Sequence, residues 1–162
     1  MDFFQGIKVK LVKPEPEELG FRQALLADED TMSYNHAWGG TVRWPEKEWK
    51  DWYDYWIAGP EDKRFYRYLL DEDAGEYVGE VAYHFDDGRR IYVADVIIMA
   101  KFRGKGYGSA GLNLLCGSAK ANGVNVLYDD IAIDNPGIAL FLKNGFTEDY
   151  RTPEIIMLKK VL

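Results

Sequence analysis

The chain has 162 residues, 47% hydrophobic and 29% charged, enough for one domain with its own core and barely enough for two. Its 20 basic and 27 acidic side chains, net −7, argue against nucleic acid as a partner, and one cysteine makes neither an internal disulfide nor a Cys-rich metal site. No stretch approaches the roughly 18 uncharged apolar residues of a membrane helix. The opening Met1-Asp2-Phe3-Phe4-Gln5-Gly6 carries an early acid and no apolar run, unlike a signal peptide. The expectation is one domain over residues 1–162, cytoplasmic and not bound to a membrane.

Ile7 to Val12 alternates apolar and basic residues as a strand does. Pro14-Glu15-Pro16 opens a helical stretch with Leu19, Phe21, Ala24 and Leu25, and Thr31 to Trp38 is a shorter element closed by Gly39-Gly40. Pro45 leads into Trp49, Trp52, Tyr53 and Trp56, spaced i, i+3, i+4, i+7 as on one helix face. Three strand-like runs follow, Arg64 to Leu70, Tyr77 to Phe85 and Ile91 to Ala100, separated by turn-rich acidic segments as in an antiparallel meander. A glycine-rich loop at 104–108 feeds a helix to about Ala121. Val124 to Ile131 then reads as a strand, Asn135 to Asn144 as a short helix, and the remainder as a strand pair ending near Leu162. The fold class is α+β, a layered sheet with helices. Charge is skewed along this order. Residues 1–90 hold 12 basic and 20 acidic side chains, residues 91–162 hold 8 and 7, which suggests two ligands of opposite sign or an ordinary solvated surface.

Arg103-Gly104-Lys105-Gly106-Tyr107-Gly108 sits between an apolar strand and a helix, where unpaired backbone N–H groups meet the positive end of the helix dipole. Gly106-Tyr107-Gly108-Ser109-Ala110-Gly111 fits G-x-G-x-x-G, and Asp129 follows Gly106 by 23 residues, close to the ~20 of a ribose-binding acid. A small dinucleotide-binding protein is therefore one reading. Against it, half the chain before the motif reads as antiparallel, and too little follows to complete a parallel sheet.

The other reading is a coenzyme A cradle. Arg103, Gly106 and Gly108 match the [QR]-x-x-G-x-[GA] signature. The segment from Asp134-Asn135-Pro136 to Asn144-Gly145-Phe146 resembles the downstream helix that accompanies it. In these features the chain resembles the GNAT superfamily of N-acetyltransferases. The resemblance implies a mixed, mostly antiparallel central sheet with a splayed parallel β4/β5 pair and helices on both faces. It implies direct acetyl transfer from acetyl-CoA to a bound primary amine, without an acyl-enzyme; His36, His84 and one cysteine give no metal-ligand spacing, so no metal is expected.

By that resemblance, backbone groups of Arg103, Gly104, Lys105, Gly106, Tyr107, Gly108 and Ser109 bind pyrophosphate. Those of Ile97, Ile98 and Met99 pair with the pantetheine amides, and Asn135 hydrogen-bonds the same arm. Members often carry a carboxylate at the position of Val93. Here Asp95 keeps that strand face two residues on, and Glu80 on the preceding strand is the second candidate base. Phe141 stands where the family commonly has the tyrosine that protonates the departing thiolate. Tyr107, Ser109, Tyr128 and Tyr150 are the hydroxyls that could replace it.

All five tryptophans fall within residues 38–56. Trp49, Trp52 and Trp56 read as core. Tyr34, His36 and Trp38, with His84 beside Glu80, are the candidate acceptor contacts, since an aromatic wall with acids nearby suits a cation. The expected acceptor is an amine of a cationic small molecule or peptide, and a homodimer is one assembly compatible with the resemblance. A coenzyme A-binding sensor or interaction module without turnover is the alternative outside enzymology. Cys116 shares the apolar helix face of Leu112, Leu115 and Ala119 and reads as a buried small hydrophobe.

Overall fold

The computed structural model describes residues 7–162, apart from the side chains of residues 37 and 38. The opening six residues and the Trp38 side chain, both read above, lie outside the described residues. The elements are β1 (Val9–Val12), α1 (Gly20–Ala27), a 3-10 helix (Thr31–Trp38), α2 (Trp49–Trp56), β2 (Arg64–Asp71), β3 (Glu76–Asp86) and β4 (Ile91–Ile98), then α3 (Tyr107–Ala121), β5 (Val126–Ala132), α4 (Gly137–Lys143), β6 (Thr147–Arg151) and β7 (Ile155–Val161).

The strands form one sheet in the order β1-β2-β3-β4-β5-β7-β6. Every neighbouring pair is antiparallel except β4 and β5. Period-two alternation sends each strand's side chains to two different cores. Val81, Tyr83, Ala94, Leu127 and Ile131 face α3 and meet Leu112, Leu115 and Cys116 there. Tyr66, Tyr68, Ala82 and Ile97 face the opposite way, toward the layer built from α1, α2 and the 3-10 helix. Helices thus cover both faces.

The tryptophans behave as helical periodicity predicts. Trp52 stands edge-on to Tyr66 at 4.8 Å, and Trp44 lies between Trp49 and Trp52 at 5.5 and 5.1 Å. Each such aromatic pair adds about 0.5–1.5 kcal/mol beyond its buried area. One expected helix splits. The prolines confine the first turn to a 3-10 segment at Pro16–Glu18, closed by a capping box between Glu15 and Glu18, and α1 begins only at Gly20. The shifted phase buries Leu25 and Leu26 and leaves Ala24 outside.

The feature that places the site is the parallel pair. β4 and β5 are in register only at Tyr92↔Leu127 and Val93↔Tyr128. Beyond those two steps the ladder stops, and a cavity of ≈ 690 Å³ is lined by Asp95–Ile98 on one side and Asp129–Ala132 on the other.

Candidate active site

At one end the cavity is bounded by the start of α3. Gly104 and Gly106 take φ of 76° and 94°, a left-handed backbone that an L side chain resists, and Gly106 caps the helix. The chain therefore turns sharply enough to present the first-turn N–H groups to the cavity, with no acidic side chain in that turn. Gly108 faces Leu140, whose Cδ2 would stand 3.1 Å from an added Cβ, so α4 closes one flank tightly. Ser109, 5% exposed, accepts a hydrogen bond from Asn144 Nδ2 at 3.1 Å and locks the same flank. An anionic diphosphate fits this cradle by backbone donors and dipole alone.

The side chains of the loop do other work. The Arg103 guanidinium donates to the carbonyls of Asp30 and Thr31 at 3.3 and 2.6 Å, and Lys105 lies outside the cavity lining with its Nζ 5.9 Å from the Phe102 ring. The expectation for the pantetheine strand narrows. Met99 N–H is spent on Val78 O at 2.9 Å, and Ile97 O points at Gly79, where an added Cβ would meet it at 2.3 Å. Alternation along an antiparallel ladder then turns the N–H and C=O of Val96 and Ile98 toward the cavity. Asn135 Oδ1 accepts the Gly137 N–H at 2.7 Å as α4 begins, which orients its amide and leaves Nδ2 free to donate into the cavity it lines.

Asp95 lines the cavity on its β4 side. Desolvation together with the Glu80 charge pushes the Asp95 carboxyl up to about 6. Asp129, from β5, is its counterpart. It occupies the strand face of Leu127 and Ile131, both core residues, yet it lines the same cavity, and burial and the Asp95 charge raise its pKa well above the ordinary range. The sequence offered one signal for it, an acid at a period-two apolar position, which the dinucleotide spacing claimed instead. Tyr34 lines the cavity beside both acids, and burial and their charges hold its hydroxyl protonated.

Glu80 and His84 are not where the sequence reading put them. Glu80 is 3% exposed, accepts the Tyr66 hydroxyl and pairs with Arg22 at 3.4 Å. It lies behind Asp95 rather than in the cavity, because β3 is an inner strand covered by α1. His84 faces the Trp56 ring at 6.0 Å, also outside the cavity lining, and burial lowers its pKa. The cation of the aromatic layer is internal: the Arg22 guanidinium sits 4.4 Å from both the Trp44 and the Trp52 rings. His36 does reach the cavity, with Nε2 3.2 Å from Asp134 Oδ2. Phe141 is 4% exposed, edge-on to Phe146 at 4.9 Å, and lines the cavity with no hydroxyl to give. Of the substitutes, Tyr107 donates to Asp71, Ser109 is held by Asn144, and Tyr150 is 46% exposed on the edge strand β6.

The family model described as "Acetyltransferase (GNAT) family" matches residues 25–146. The chain belongs to the GNAT acetyltransferase family. No curated protein gives a significant match. Among solved structures, the spermidine N-acetyltransferase of Vibrio cholerae, in complex with CoA and spermine, is similar with a TM-score of 0.77 at 20% identity, over 94% of this chain and 95% of that one. A GNAT acetyltransferase of Streptococcus pneumoniae gives 0.76 at 16% identity, over 96% and 100%. The microcin C7 self-immunity acetyltransferase MccE, in complex with acetyl-CoA and AMP, gives 0.73 at 14% identity, over 96% and 93%. The protein is thus a GNAT-fold N-acetyltransferase, and the sheet order excludes the dinucleotide-binding reading of the glycine loop. No helix among the described residues is long and apolar enough to cross a membrane.

Proposed function

We propose that this GNAT enzyme uses acetyl-CoA to acetylate a primary amine of a cationic small molecule or peptide, directly and within one domain. The observation that carries the reading is the pair Asp95 and Asp129, set on the two strands of the splay in the same cavity as the α3 N-terminus. In this reading the first-turn N–H groups of α3 hold the pyrophosphate, and the cavity-facing backbone of Val96 and Ile98 with Asn135 aligns the pantetheine arm. The thioester is the activated acetyl donor.

An alkyl ammonium with pKa near 10.4 costs about 4.6 kcal/mol to deprotonate at pH 7. Two carboxylates that resist sharing one cavity as a double anion gain from an ammonium between them. Asp95 then receives its proton as the amine attacks. The C–N bond forms as the C–S bond breaks, and the thiolate, with an intrinsic pKa of about 8.5, leaves without a tyrosine and takes up, through cavity water, the second proton that the attacking nitrogen gives up. Phe141 is compatible with that step.

The test is an acetylation panel with spermidine, agmatine, a lysyl peptide and glutamate, read by free thiol release and by product mass. Spermidine or agmatine should exceed glutamate at least about tenfold in kcat/KM. Preference for the anionic amine would refute the acceptor class, and cofactor binding without turnover of any amine would support the sensor alternative.

A further inference from the structure

The cavity wall that faces the acceptor and the loop that holds the cofactor are joined by a small set of hydrogen bonds. Thr31, at the start of the 3-10 helix Thr31–Trp38, is fully buried. Its Oγ1 accepts the Ala100 N–H at 2.8 Å and donates to Asp28, whose carboxylate also accepts the Thr31 N–H at 3.1 Å. The Thr31 carbonyl accepts Arg103 Nη2 at 2.6 Å, and the Asp30 carbonyl accepts Nη1 at 3.3 Å. The same short helix supplies Ser33, Tyr34 and His36 to the cavity. At its far end His36 meets Asp134, the residue before Asn135.

We infer that Thr31 and Arg103 are positioning residues that make the acceptor wall a dependent part of the cofactor loop, so that filling the cofactor cradle orders Tyr34 and His36 for the amine. The inference rests on the proposed cofactor site. Two helix carbonyls hold the Arg103 guanidinium against the wall, so removing the side chain frees the wall. Thr31 closes the link from the other side, because Ala100 begins the turn that leads into the loop. Coupling of this kind is reciprocal: whatever the cofactor gains by ordering the wall, a bound amine returns as tighter cofactor binding.

Hydrogen exchange with coenzyme A as the probe tests it without a known acceptor. In the full chain, saturating coenzyme A should slow amide exchange at 104–110 and also at 31–36. In Thr31→Val and in the exposed-site variant Arg103→Met, protection at 104–110 should persist while that at 31–36 falls at least about fivefold, and Thr31→Ser should restore it. The calorimetric Kd for coenzyme A should stay within about twofold of wild type in Thr31→Val. Protection of 104–110 alone in the wild type, or unchanged protection of 31–36 in both variants, would overturn the inference. A tenfold loss of coenzyme A affinity in Arg103→Met would make that side chain a phosphate contact instead. No heat with coenzyme A in the wild type would refute the cofactor site itself, and the coupling with it.

Discussion

A carboxylate between Leu127 and Ile131 on a core-facing strand edge is costly unless something charged comes to meet it. Asp129 pays that cost together with Asp95, and their mutual repulsion gives two expectations of definite sign. As a base Asp95 must be ionised, so kcat/KM for an amine should rise with pH through about 6 and level off above it. Asp95→Asn should remove that acidic limb, a change that pH–rate profiles of the two proteins would show. The stability consequence runs the same way. A carboxyl whose folded pKa lies above its ordinary 3.8 binds extra proton in the native state between about 4 and 6, so its contribution to stability falls as pH rises through that window. Asp95→Asn should therefore raise Tm relative to wild type more at pH 7.5 than at pH 4.5. Equal shifts at both pH values would mean that the carboxylate is well solvated. Alternation alone could flag Asp95 as a strand acid, and the fold makes it a cavity acid. Glu80 and His84 have the same sequence credentials, and only tertiary packing by Arg22, Tyr66 and Trp56 removes them from the cavity.

At the scale of the elements, the order and type of nearly every helix and strand were legible, because glycine and proline punctuation coincides with a change of hydrophobic period. The start of α3 was legible for the same reason: two glycines in left-handed backbone and an apolar helix face can be read from spacing. The handedness of the peptide planes on β4 was not, since it depends on which strand neighbours it. That is why Met99 yields its N–H to Val78 and Ile97 turns its carbonyl toward β3, while the backbone groups of Val96 and Ile98 face the cavity. Gly79 is where β3 and β4 approach too closely for a side chain. An added Cβ would lie 2.3 Å from Ile97 O and 2.9 Å from Ile98 Cδ1. Gly79→Ala should destabilise the protein by about 1–3 kcal/mol and weaken acetyl-CoA binding by displacing β4. Denaturant melts and calorimetry would report both. Gly106→Ala meets a different obstacle, the φ of 94°, and should cost about 1–2 kcal/mol while raising the acetyl-CoA Kd at least about tenfold. An unchanged Kd would place the pyrophosphate elsewhere.

Across the whole molecule the sheet divides two chemistries. On one side α3 and α4 enclose a cradle of backbone dipoles suited to an anion. On the other the acid-rich first half of the chain contributes the aromatic layer and the short helix that lines the cavity. The charge skew seen in the sequence is consistent with that division, although the acids nearest the cavity come from β4 and β5. The tryptophan-rich stretch was read as helix packing and does pack, but its cation is Arg22 from within. The link from Thr31 to Ala100 and Arg103 had no sequence signature, because it joins residues about 70 apart through backbone carbonyls.

The central claim is that the splay between β4 and β5 and the start of α3 form one acetyl-CoA site. Calorimetric titration of the purified protein with acetyl-CoA, with NADH as the control, tests it most directly. The account predicts micromolar acetyl-CoA binding that Gly106→Ala weakens and no heat with NADH. Binding of NADH in place of acetyl-CoA, or of neither, would contradict it.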